Sequence, residues 1–156
     1  MLASKDSIRQ YCTWLPAMMD VLLRTAGPIL EVGSGFGTPI LRAYCSGYRQ
    51  LTTVETDPLW FAELQKLPAD PSHIIVDKLP DIGFWDVALI DSAPAATRQP
   101  YINMLRTRCR FLVVHDCEPG NFEGYGYNFS GFAHVAMWND LVPNTAVLTV
   151  QSHGIP

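Results

Sequence analysis

Three glycines at alternate positions, Gly33, Gly35 and Gly37, stand between an apolar segment (Pro28, Ile29, Leu30, Val32) and a helix-compatible one that begins near Pro39. Glycines packed this densely let a chain turn sharply and bring its backbone against a ligand with no side chain in the way. Glu31, just before them, gains nothing beside a phosphate and favours a ligand that carries positive charge. The spacing departs from the dinucleotide fingerprint: the third glycine comes one residue early, and Thr38 follows it. No glycine-lysine phosphate loop occurs, which excludes a phosphate-loop NTPase. Downstream, acidic residues recur at Glu55, Asp77, Asp91 and Asp116, the last beside His115.

The elements that must position these residues alternate along the chain. Residues 7–25 have apolar side chains at helical spacing, with Ser7 as N-cap and Pro16 set to bend or split the helix. Strand-like runs follow at 28–32, 50–55, 73–77, 85–91 and 110–115, separated by predicted helices at 38–46, 57–67 and 95–108. Asp57 and Pro58 suit the N-cap and first position of the second of these helices. Residues 79–83 are too few for a helix, and 118–130 are Gly-rich and aromatic, so helices are missing after the third and fifth strands. The tail reads as two strands, 131–138 and 145–151, that close the sheet as an antiparallel pair. The expectation is one α/β domain over residues 1–156, with an N-terminal helix within 1–26 and a mostly parallel seven-stranded sheet covered on both faces.

Ligands of open parallel sheets bind beyond the carboxyl ends of the strands, and the acidic residues fall at those ends. Glu55 lies about 20 residues beyond Gly33, the offset at which a carboxylate reaches both hydroxyls of a ribose. Asp91 and Asp116 end successive strands, so they could share a divalent cation through oxygen ligands. His115 is either a general base for a hydroxyl substrate or a strand-end histidine bonded to backbone. Arg98 either pairs with Asp91 or an acidic substrate, or lies on a solvated helix face. Phe122, Tyr125, Tyr127 and Phe129 offer a surface for a planar or apolar substrate, or an oligomer contact. Trp60, Trp85 and Trp138 are expected in the core and His134 and His153 in structural roles, whereas Trp14 and Tyr11 could cover the ligand.

Composition narrows the partners. The 156 residues carry a net charge of −4, only 17% are charged, and no basic run exists to neutralise phosphates, so nucleic acid is not an expected partner. The four cysteines include no C-x-x-C pair, which suggests reduced thiols. No apolar run approaches the ~20 residues that span a bilayer, and no apolar region follows the first lysine as in a signal peptide. A cytoplasmic protein is the expectation.

The run Glu31-Val-Gly-Ser-Gly-Phe-Gly37 resembles the first motif of the class I S-adenosylmethionine-dependent methyltransferases, and the likeness extends over residues 28–116. It implies a Rossmann-like fold that binds S-adenosyl-L-methionine. Glu31, Gly33, Ser34, Gly35 and Gly37 would hold the methionine portion. Glu55 with Thr56 would hold the ribose, Asp77 with Lys78 the adenine, and Asp91 the region of the transferable methyl. Asp91, His115 and Asp116 are then the catalytic candidates. The strand-end acids also resemble a metal-dependent subgroup of small-molecule O-methyltransferases and the relatives of cephalosporin hydroxylase. Mg²⁺ on Asp91 and Asp116 is the alternative to a metal-free site, although Cys117 departs from that subgroup's pattern. Asp91-Ser-Ala-Pro94 stands where amino-methylating enzymes carry Asn-Pro-Pro-Tyr, which favours transfer to an oxygen of a small-molecule acceptor. Cleavage of the cofactor by a lyase or hydrolase, and a non-catalytic binding protein, remain as alternatives. The brevity of the chain suggests that a homo-oligomer completes the pocket.

Overall fold

Short runs of apolar and β-branched side chains form the strands of a seven-stranded sheet. In chain order they are β1 (Ile29–Val32), β2 (Leu51–Val54), β3 (His73–Val76), β4 (Trp85–Ile90), β5 (Cys109–His115), β6 (His134–Trp138) and β7 (Thr145–Thr149). The computed structural model describes residues 11–118 and 126–150; Ser7, Ile8, Phe122, Tyr125 and His153 lie outside them. The sheet order is β3-β2-β1-β4-β5-β7-β6, and β7 runs opposite to the other six strands. The strand order reverses direction between β1 and β4, so a crevice opens beyond their carboxyl ends.

Alternation along the central strands gives the sheet two apolar faces. Ile29, Leu51, Val87, Leu89 and Val113 pack against Trp14, Met18, Leu22 and Leu41, which come from the segment around α1 (Leu15–Leu22) and from α2 (Gly37–Cys45). On the other face Leu30, Val54, Ala88, Ile90 and Leu112 meet Ile102 and Leu105 of α4 (Arg98–Leu105). Strands buried on both faces read as continuous apolar runs, which is why β4 and β5 were plain in the sequence.

Several boundaries differ from expectation. The chain turns at Thr13–Trp14 and α1 begins at Leu15, so Pro16 sits in a first helical turn, where its missing N–H costs nothing. The third helix, α3 (Pro58–Leu64), is capped by the Asp57 side chain, which accepts from the amides of Leu59 and Trp60. This helix buries only Leu64, so Trp60, expected in the core, is 53% exposed. Trp85 is buried as expected, and Trp138 is half-buried. Residues 77–84 cross from β3 to β4 without a helix, and none forms among the described residues between β5 and β6. All four cysteines are free and buried. No helix among the described residues is long and apolar enough to cross a membrane.

Candidate active site

The three glycines of the loop after β1 do different work. A Cβ on Gly33 would lie 2.4 Å from the Ser92 Cα, and its φ of +91° belongs to the region that disfavours L side chains. Gly33 therefore lets the turn pack against the end of β4. A Cβ on Gly37 would fall 2.3 Å from the Trp14 ring, so this glycine admits the indole to the core. That buries Trp14 (1% exposed) and removes it as a cover for a ligand; Tyr11 instead stacks on Phe36 of the loop at 5.3 Å. At Gly35 a Cβ would meet nothing within 4 Å. Its open side is where a ligand can approach the backbone.

Two glutamates hold this loop, one directly and one through a threonine. Glu31 is 1% exposed, and its oxygens accept from Thr38 Oγ1 at 3.0 Å and Thr53 Oγ1 at 2.8 Å. Thr38 in turn accepts from the Gly35 amide at 3.1 Å, so Glu31 reaches the loop through a hydroxyl. Burial pushes its carboxyl up to about 8, against the opposing pull of the Thr53 and Thr38 hydrogen bonds. Burial therefore favours the neutral form of this residue inside the fold. Glu55, at the end of β2, accepts from the Ser34 amide (2.9 Å) and hydroxyl (2.5 Å) on one oxygen and from the Asp57 amide (2.8 Å) on the other. One oxygen of its carboxylate is thus already hydrogen-bonded to a hydroxyl.

A second cluster ties the ends of β4 and β5 together. Arg98, the first residue of α4, is 6% exposed and donates to Asp116 Oδ2 at 2.5 Å and Asp91 Oδ1 at 3.2 Å. It also donates to the backbone carbonyls of Ser92 (2.8 Å) and His115 (3.1 Å). Burial alone would lower the guanidinium's affinity for its proton, but the Asp116 and Asp91 carboxylates outweigh it and raise it. Asp116 adopts φ 55°, a left-handed conformation that Asp tolerates better than most residues, and this turns its carboxylate back onto Arg98.

His115, 3% exposed, completes the cluster. Its Nδ1 lies 2.9 Å from Asp91 Oδ1 and 3.5 Å from Asp116 Oδ1. Its Nε2 lies 2.7 Å from Thr13 Oγ1, which also donates to the Pro143 carbonyl at 2.7 Å. A carbonyl only accepts, so the single Thr13 proton points there and the Thr13 oxygen accepts from Nε2–H. Neither ring nitrogen faces the crevice. Asp91, whose side chain is 26% exposed, is the group through which this cluster reaches solvent.

The ligating atoms of Asp91, His115 and Asp116 lie within 4.8 Å of one another. The Arg98 guanidinium bonds one oxygen of each carboxylate, Asp91 Oδ1 and Asp116 Oδ2. Its charge satisfies the pair that the sequence offered to Mg²⁺. The remaining candidates lie farther out. Thr56, Asp77 and Lys78 are exposed at the ends of β2 and β3. Arg98 was one option among several in the sequence, and Thr13 carried no signal there at all: it is 102 residues from the histidine it touches.

No family model matches the chain, and no curated protein matches it. Solved structures do. One is a provisional type 11 methyltransferase from Sulfolobus solfataricus, 17% identical with a TM-score of 0.60, over 96% of this chain and 98% of that one. Another is a mutant of MtNAS in complex with S-adenosylmethionine, 16% identical at TM-score 0.60, over 90% of this chain and 62% of the other. A third is a TehB-like S-adenosylmethionine-dependent methyltransferase from Corynebacterium glutamicum, 16% identical at TM-score 0.56 over 88% of each chain. The chain has the Rossmann-like methyltransferase fold. In this methyltransferase fold the glycine loop and Glu55 lie on one side of β4, and the Arg98 cluster lies on the other. The two halves of the candidate site therefore share one crevice, with Asp91 at its centre.

Proposed function

We propose that this chain is an S-adenosylmethionine-dependent methyltransferase that acts on an oxygen of a small molecule. The observation that carries the reading is the pairing of an open backbone face at Gly35 with the Glu55 carboxylate one strand away. Ser34 Oγ already donates to that carboxylate, so the crevice has a built acceptor for a hydroxyl donor, and a ribose diol is the matching ligand. When bound, S-adenosylmethionine supplies a methyl group activated by its sulfonium.

The residues of the chain would bind and orient. The loop from Gly33 to Gly37 receives the methionine portion on its open face, propped from within by Glu31 through Thr38. Glu55 takes the ribose in place of the Ser34 hydroxyl. Thr56, Asp77 and Lys78 flank the adenine end. Asp91 accepts a hydrogen bond from the acceptor hydroxyl, and Arg98, Asp116 and His115 hold Asp91 in place. Methyl transfer of this kind needs chiefly positioning, which rigid groups on strand ends provide. A site lined by acids, in a chain of net charge −4, disfavours phosphate-bearing acceptors and supports a small molecule. Arg98 takes the role of counter-charge that Mg²⁺ would otherwise have.

Calorimetry with S-adenosylmethionine and S-adenosylhomocysteine is the first test. Binding of both, weakened by Glu55→Ala by about 1–3 kcal/mol, is the expected result. No binding of either ends the reading. Incubation with methyl-labelled S-adenosylmethionine then separates transfer from cleavage: methylthioadenosine or homoserine lactone would replace a methyltransferase by a cofactor-cleaving enzyme.

A further inference from the structure

We infer that Thr13 is a positioning residue of the crevice: it holds His115 with a proton on each ring nitrogen, so that the imidazolium orients Asp91 and takes no proton from a substrate. The proton count stands on the hydrogen bonds alone. Its consequence for an acceptor rests on the methyltransferase reading and deepens it.

Three short contacts meet here, and the protons available must satisfy all of them. Thr13 Oγ1 lies 2.7 Å from the Pro143 carbonyl oxygen and 2.7 Å from His115 Nε2. The hydroxyl has one proton and the carbonyl has none, so the hydroxyl donates to Pro143 and Nε2–H donates to the hydroxyl oxygen. On the other side of the ring, Nδ1 faces Asp91 Oδ1 at 2.9 Å and Asp116 Oδ1 at 3.5 Å. A neutral ring with its proton on Nε2 would turn a bare lone pair towards both oxygens. A proton therefore lies between Nδ1 and Asp91. It belongs to the ring, because Asp91 Oδ1 also accepts from Arg98 at 3.2 Å, and an adjacent guanidinium favours the ionised carboxylate.

Charge gives the same answer. With a neutral ring, one guanidinium would face two carboxylates and leave a negative charge unmatched in a largely buried cluster. With an imidazolium, two cations face two anions. The other titratable groups that act on this cluster do not supply the balance. Burial favours the neutral forms of Cys12 on the N-terminal segment, Cys117 after β5, Tyr127 beside Arg98, and Glu31. From β7 the residue opposite His115 is the uncharged Thr145. Thr13 sets the charge of the ring because Pro143 engages its only proton and leaves a lone pair for Nε2–H.

Nitrogen NMR on the full chain with isotope-labelled histidine reads this directly, in EDTA so that no cation occupies Asp91. The His115 signals are assigned by their loss in His115→Gln. A free histidine, with a pKa of ~6.5, is mostly neutral at about pH 8. The expected His115 signature at that pH is two protonated nitrogens, in the parent and in Thr13→Ser. Thr13→Val removes the lone pair that Nε2–H needs, so Nε2 should shift to the bare type while Nδ1 stays protonated towards Asp91. A bare nitrogen in the parent, a Thr13→Val spectrum like the parent's, or a Thr13→Ser spectrum like that of Thr13→Val overturns the inference. The parent and Thr13→Ser decide the proton count even if Thr13→Val fails to fold. S-adenosylhomocysteine is titrated into the parent sample. No binding with both nitrogens protonated sinks the methyltransferase reading alone; binding with a bare nitrogen sinks the inference alone.

Discussion

Replacing Gly33 by alanine should damage the fold, whereas the same change at Gly35 should damage only the site. At Gly33 the added Cβ would stand 2.4 Å from the Ser92 Cα and 2.6 Å from the Asp91 carbonyl oxygen, and both are backbone atoms that cannot swing aside. Holding a non-glycine residue in the left-handed region costs roughly 1–2 kcal/mol. Forcing extra volume into a packed contact adds about 1–3 kcal/mol. Together these come to roughly 2–5 kcal/mol, a large share of the ~5–15 kcal/mol that stabilises a domain. In a chain of this length each kcal/mol lowers Tm by about 2–4 °C, so Gly33→Ala should melt about 4–20 °C early. Gly35 has no neighbour within 4 Å of its ideal Cβ, so Gly35→Ala should melt within about 2 °C of the parent. Its methyl group would project from the open face of the loop and weaken S-adenosylhomocysteine at least ~10-fold, about 1.4 kcal/mol. Thermal melts by circular dichroism and calorimetric titration on the three proteins read both quantities. If Gly33→Ala melts with the parent, or Gly35→Ala falls as far as Gly33→Ala, the division of labour assigned to the loop is refuted.

Three further outcomes follow from the buried charges. Arg98→Met leaves Asp91 and Asp116 without their common partner and should cost about 3–5 kcal/mol in urea denaturation; a loss under about 1 kcal/mol would mean that the cluster does not hold β4 to β5. Glu31 binds a proton in the folded chain up to about pH 8 but releases it near 4.5 when unfolded, so its stabilising contribution is complete below about pH 4.5 and is lost as pH rises through about 8. The slope is roughly 1.4 kcal/mol per pH unit within that window, and Glu31→Gln should flatten it; parallel stability-versus-pH curves for the two proteins would refute the assignment. Methyl transfer, once an acceptor is in hand, should continue undiminished in EDTA, because Arg98 already spans the two carboxylates; full loss on chelation with recovery on adding Mg²⁺ would contradict this.

Much of the architecture was legible because it depends on local patterns. The apolar cores of β4 and β5, the Asp57–Pro58 helix start and the Gly-rich turn are carried by neighbours in the chain, and each stands where the pattern put it. Trp60 was misjudged for a related reason: aromatic type suggests burial, but exposure depends on whether the short α3 has anything to cover. The site was legible in its residue types and much less so in their partners. Glu31 reads as a charge beside the loop and is instead a buried group linked to it by Thr38. Arg98 reads equally well as a surface residue until the ends of β4 and β5 are brought to either side of it.

The sequence by itself determined the order of strands and helices, the turn at residues 33–37 and the presence of acids at successive strand ends, since spacing and side-chain type suffice for these. Which acids remain available to a ligand was decided only by the tertiary structure. Glu31 is enclosed by threonines, Glu55 is bonded by Ser34 and the Asp57 amide, Asp116 is paired with Arg98, and His115 is held by Thr13, whereas Asp91 keeps a partly exposed side chain. The physical reason is that a carboxylate's role depends on its hydrogen-bond partners and its access to water, and here those partners lie as far as 102 residues away along the chain.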